Sequence, residues 1–324
     1  MSPNQMDEQL VKYLTDAHSI EQQALAQMKA APKIAGDPEM ARIFEQHLTE
    51  TQEHDRLVDE QLEAHGAKPS KLKDIAGKLT GHGFGMFAAG NPDTPGKLVA
   101  HGYSYEHMEA AAYDLLGRIA ERAGDQPVVQ MARRIEEQER TMAERVAGCF
   151  DRAVEASLRD VPRDDIQEQL NKYLADAHAI EGQSRQLLDK GEDIAGASGL
   201  ASAFSEHRIE TEEHLRLVEA RLEARGESPS KLKDAALKLG ALNWGGFFAA
   251  QPDTPAKLAA FAYAVEHLEI AAYELLRRVA ERAGDTETAA TAERILVEER
   301  EAAEKVRSLF GEVVDVTLAE HVSA

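Results

Sequence analysis

A set of glutamates stands where the helical pattern calls for apolar residues. Positions seven apart on a helix lie on nearly one face. Glu21 sits one heptad after Leu14 and one before Met28, and Glu50 sits between Ile43 and Leu57 with His47 and His54 on the same side. Glu106 falls between Val99 and Tyr113, Glu109 between Gly102 and Leu116, and Glu139 between Ala132 and Val146. The set recurs as Glu181, Glu210, His214, Glu266, Glu269 and Glu299. Five carboxylates brought into one core repel each other and carry a large desolvation cost. Either they share protons in a buried polar network, or cations neutralise them. Two divalent ions nearly balance that charge, and hard oxygen donors with an imidazole suit iron, or manganese, better than a structural zinc. These residues are the candidate metal ligands. His18 and His47, each with a Glu three residues on, are expected to orient a carboxylate from outside the ligand set.

The elements that must position them are helices. Residues 7–31 place Leu10, Leu14, Ala17, Leu25 and Met28 at three- and four-residue steps. Helical stretches follow at 38–65, 95–123 and 126–158, with a short helix from Pro69 to about Leu79 and a Gly-rich segment at 81–96. No strand pattern is visible. Tight links join the first helix to the second and the third to the fourth, while the middle pair is separated far enough for a crossover along the bundle. In that arrangement Glu21 and Glu50 both lie about 15–18 Å from their shared turn. Glu106, Glu109 and Glu139 then meet them near mid-bundle, the geometry of carboxylate-bridged two-metal bundles.

The chain is written twice. EQLVKYLTDAHSIEQQ at 8–23 returns as EQLNKYLADAHAIEGQ at 168–183, and PSKLKD, PDTP and AERAGD each recur at the same offset of 160. Each copy is long enough for its own core. The expected fold is all-α, two tandem four-helix bundles at 1–159 and 160–324, with the boundary near Pro162. The counterpart Gly-rich segment lies at 241–251, and neither segment has the terminal Lys-Ser/Thr of a phosphate loop.

Composition narrows the setting. Acidic residues outnumber basic ones by 58 to 37, for a net charge of −21. A field of that sign repels phosphate backbones and anionic lipid, so no nucleic-acid or membrane partner is expected. One cysteine, Cys149, excludes an internal disulfide. No apolar run approaches the roughly 20 residues of a membrane span. With no export signal in MSPNQMDEQL, a cytoplasmic protein is expected.

DAHxIEQQ-like segments on the first helix, HxxETxxH on the second, EHxExAAY on the third, and EEQER and VEERE on the fourth resemble the YciE/YciF-type ferritin-like proteins. The resemblance covers nearly the whole chain, once per copy. It implies ferritin-like bundles with a dinuclear metal site, an association with bacterial stress, and Glu21, Glu50, His54, Glu106, Glu109 and Glu139 as ligands. Two departures stand out: the second helix has His four rather than three residues after Glu50, and Met142 and Ala302 occupy the third position after Glu139 and Glu299. One clear His per copy favours an oxidation centre for Fe(II), with oxygen or peroxide as oxidant, over a manganese catalase. The competing expectation is a non-catalytic stress or scaffold protein with structural metal or none. A third possibility, an oxygenase acting on an organic substrate, would need an apolar pocket beside the metals. Assembly into a homo-oligomer is compatible with either of the first two.

Overall fold

The computed structural model describes residues 2–67, 94–195, 198–227 and 255–323. Among these, all regular structure is helical. The chain divides into two compact units, one of Met1–Ser157 with Leu318–Ala324 and one of Leu158–Thr317.

In the first unit, α1 (Pro3–Met28), α3 (Pro38–Ala64), α4 (Thr94–Ala123) and α5 (Gln126–Ala147) form the bundle. A one-turn helix, α2 (Ala31–Ile34), follows α1, and α6 (Phe150–Leu158) follows α5. Their starts are chemically marked: Ser2 forms a capping box with Gln5, and Asp37 and Asp125 accept backbone N–H groups at the starts of α3 and α5. Gly124 ends α4 with φ +75°, and the N–H of Asp125 returns to the carbonyl of Ala120, so the chain reverses in two residues.

Every neighbouring pair is antiparallel. Asp7 meets His65 and Gln22 meets Asp55 between α1 and α3; His101 meets Gln27 and Tyr105 meets the Ile20 carbonyl between α4 and α1. Between α3 and α5, Glu50 meets Arg145 and His54 meets Gln138. The second long helix thus ends beside Asp7, while α4 begins at the opposite end beside Gly36. The crossover expected between them, with the short helix at 69–79 and the Gly-rich segment 81–96 as far as residue 93, lies outside the described residues, as does the Gly-rich segment 241–251 of the second copy.

The second unit repeats this with α7 (Ile166–Ala195), α8 (Gly199–Ala224), α9 (Pro255–Ala283), α10 (Thr286–Ser308) and α11 (Phe310–Ser323). Here α7 runs on where α1 stops, because Pro32 has Glu192 as its counterpart and no backbone N–H is lost. One detail differs from the sequence expectation. The fourth helix is not continuous over 126–158 but turns at Gly148 and Cys149, and the turn recurs at Leu309, so glycine is not its cause. In each copy the turn redirects the chain so that an aromatic and a valine, Phe150 with Val154 and Phe310 with Val314, become buried. The link between the units holds a single 3₁₀ turn, Arg163–Asp165, entered from Pro162.

Candidate metal centre

The core stripes of the four helices converge on buried acids. Glu21, Glu106, Glu109 and Glu139 are each fully buried, as are His47 and His54. They fall into two groups whose ligand atoms lie within 4.8 Å of one another: His47, Glu106, Glu109 and Glu139, and Glu21, His54 and Glu139. Glu139 belongs to both. Its two oxygens face different imidazoles, Oε1 at 2.7 Å from His54 Nδ1 and Oε2 at 3.4 Å from His47 Nε2. A carboxylate placed this way belongs to both groups at once, one oxygen turned to each imidazole.

The second unit builds the same pair of groups from His207, Glu266, Glu269 and Glu299, and from Glu181, His214 and Glu299. Glu299 is the shared member, 2.8 Å from His214 Nδ1 and 3.4 Å from His207 Nε2.

Outside the ligand atoms, each imidazole is held by its other nitrogen. His47 Nδ1 lies 3.1 Å from Glu50 and His207 Nδ1 2.9 Å from Glu210; His54 Nε2 lies 3.2 Å from Gln138 and His214 Nε2 2.7 Å from Glu298. Such partners fix ring orientation and raise imidazole basicity. Tyr113 donates a hydrogen bond to Glu21, and Tyr273 to Glu181.

Electrostatics follow from burial. Loss of water pushes the Glu21 carboxyl up to about 8 and Glu106 up to about 7, and Glu109 well above the usual carboxylate range, with the neighbouring carboxylates adding to the effect. Burial acts the same way on Glu139, but its hydrogen bond from His54 and the nearby His47 outweigh it and hold that carboxyl low. Burial also opposes charge on His47 and His54, yet the surrounding carboxylates raise both. Neither oxygen of Glu109, nor of Glu269, has a hydrogen-bond partner. Two fully buried, unpartnered carboxylates are the places where the donor set most plainly fits a cation.

The sequence expectation differs on the second helix. Glu50 and Glu210, expected among the ligands, do not join the buried groups. Glu50 is 28% exposed and is held by Arg145 at 3.1 Å and by His47; Glu210 is 49% exposed and bonds His207. His47, expected to act from outside, points into the centre instead. The reason is the phase of the stripe: α3 buries Met40, Phe44, His47, Thr51, His54, Val58 and Leu62 along one line, while the line through Ile43, Glu50 and Leu57 is buried at Ile43 but only half-buried at Glu50 and Leu57 and so runs along its edge. The seven-residue spacing from Met40 to His47 to His54 was the available signal. Glu21, Glu106, Glu109, Glu139 and His54, with Glu181, Glu266, Glu269, Glu299 and His214, are brought together as expected.

Two ferritin-like four-helix bundles, each enclosing a buried Glu/His cluster, therefore define the class. The chain belongs to the family described as "Domain of unknown function (DUF892)", a family of ferritin-like type that matches residues 5–159 and again residues 165–319. The match confirms the duplication. No solved structure matches the chain.

Proposed function

We propose that each bundle holds a dinuclear metal centre, with iron as the resident metal and manganese as its nearest substitute, and that the protein oxidises Fe(II) with oxygen or peroxide. The observation that carries this reading is the pair of unpartnered carboxylates, Glu109 and Glu269, inside clusters that share a bridging Glu139 or Glu299. Four carboxylates and two imidazoles surround each centre. Two divalent cations would balance the four negative charges, and oxygen donors without a thiolate suit iron or manganese.

His47, Glu106, Glu109 and Glu139 would hold one ion, and Glu21, His54 and Glu139 the other. When bound, a pair of irons supplies two electrons in one step to a small oxidant. The chain's own residues do the rest. Glu139 keeps the two positions adjacent. Glu50 and Gln138 hold the imidazoles in register. Tyr113 fixes the orientation of Glu21 through its hydrogen bond and leaves the second oxygen for the centre. Apolar packing around the cluster excludes bulk water, which strengthens each charge interaction inside it.

The test is elemental analysis of protein purified without chelators and supplied with Fe(II) in air, followed by oxygen consumption. About four irons per chain with turnover supports the reading. Bound metal without oxygen or peroxide consumption would leave a structural metal protein, and no metal would leave a scaffold of protonated acids.

A further inference from the structure

The two centres are alike in their ligand atoms but not in their surroundings. In the second bundle a cavity of about 190 Å³ opens between α7, α8, α9 and α10, roomy enough for several waters. Its floor includes His207 and Glu266, both buried members of the cluster, with Glu266 Oε2 2.9 Å from His207 Nε2. Its mouth carries Glu206, Glu210 and Glu301 with Lys305, and its walls include Ala203 and Ala302.

At the matching positions the first bundle has Ile43 and Met142 in place of those alanines, with Met142 fully buried. Arg145 stands where Lys305 does and binds Glu50, whereas Lys305 turns away to Glu206 at 3.1 Å and leaves Glu210 to His207 alone among the bonds above. The exposures follow: Glu210 is 49% exposed against 28% for Glu50, and His207 is 5% exposed where His47 is fully covered.

We propose that this cavity is the port by which a hydrated divalent cation reaches the second centre, that Glu210 passes the ion from the mouth to His207 and Glu266, and that the first centre fills more slowly. The inference rests on the metal-centre reading above but not on its redox chemistry. An acidic mouth concentrates cations. Glu210 is 49% exposed and in contact with a cluster residue, so it can exchange water for carboxylate oxygen before the ion is fully desolvated. The first bundle offers the equivalent carboxylate already paired with a guanidinium.

The experiment is stopped-flow loading of the full chain with Co(II), a coloured divalent probe that does not require oxidation. Two phases are expected. Glu269→Ala should remove the fast one and Glu109→Ala the slow one. Ala203→Ile with Ala302→Met, which gives the second bundle the first bundle's side chains, should slow the fast phase about tenfold while the total bound stays unchanged. Glu210→Gln, which alters no volume, should slow it similarly and guards against a packing defect in the double variant. A single phase, a fast phase that belongs to the first bundle, or a fast phase indifferent to both changes would overturn the port. No bound Co(II) at either centre would overturn the metal reading itself, and the port with it.

Discussion

A carboxylate buried with neither oxygen partnered, as at Glu109 and Glu269, destabilises the metal-free fold and is relieved by a cation. Changing Glu109 to Gln should therefore have opposite effects in the two states. The metal-free protein should gain on the order of 1–3 kcal/mol, read as a higher urea midpoint, while metal no longer stabilises that bundle. A lower midpoint in the metal-free protein would mean that Glu109 is already satisfied. Acidity gives a second expectation. Glu21 at about 8 and Glu106 at about 7 lie above the ordinary carboxylate value of 4.5, so the fold binds their protons more tightly than the unfolded chain does. Their contribution is complete below about pH 4.5 and is lost as pH rises through about 7 to 8. The raised imidazole of His54 acts in the same direction, while the lowered Glu139 matters only on the acid side. The melting temperature of the metal-free protein should fall from mildly acidic to mildly alkaline pH, and added metal should flatten that slope. Glu50 belongs to a different case. Glu50→Ala frees the His47 ring and Arg145 but removes no atom of the buried groups, so metal affinity should drop about 10–100-fold rather than vanish. Titration with Co(II) distinguishes the two.

At the scale of elements, antiparallel helices meet in a register that caps and turns hold in place. Gly36 shows how tightly. Its φ is +69°, and a Cβ there would stand 2.8 Å from Pro95, at the start of α4. Gly66 has nearly the same φ, +67°, with nothing within 4 Å. Alanine at Gly66 should cost about 1 kcal/mol for the left-handed backbone alone. At Gly36 the cost should be larger, because the start of α4 must also shift. The difference between the two variants in chemical denaturation reads that packing directly, and equal losses would show that Pro95 yields freely. The same elements explain what was legible in advance. Heptad neighbours of Glu21, Glu106, Glu109 and Glu139 are buried on both sides, so their stripes could be phased from one sequence. On α3 two stripes lie side by side, Ile43–Glu50–Leu57 and Met40–His47–His54. Both carry apolar and polar residues, and they differ by less than the width of a helix face.

For the whole molecule, duplication sets two buried Glu/His clusters in one chain, each with one acid shared between two groups. Glu139→Ala removes a member of both groups in the first bundle and should halve the iron bound at saturation. Glu299→Ala should do the same for the second, and the pair together should abolish binding. Loss of all metal from either single change would show that the centres do not fill independently. Among the described residues no helix is long and apolar enough to cross a membrane.

The repeat at an offset of 160, the helical period and the acids on apolar stripes were already determined by the sequence, since identity and periodicity are properties of the chain itself. Only tertiary packing decided that His47 turns inward and Glu50 outward, because α5 presents Glu139 to His47 and Arg145 to Glu50. Packing likewise decided that the second centre lies beneath a cavity. Ala203 and Ala302 are far apart in the chain, and they make a space only when two helices bring the two missing side chains to one place.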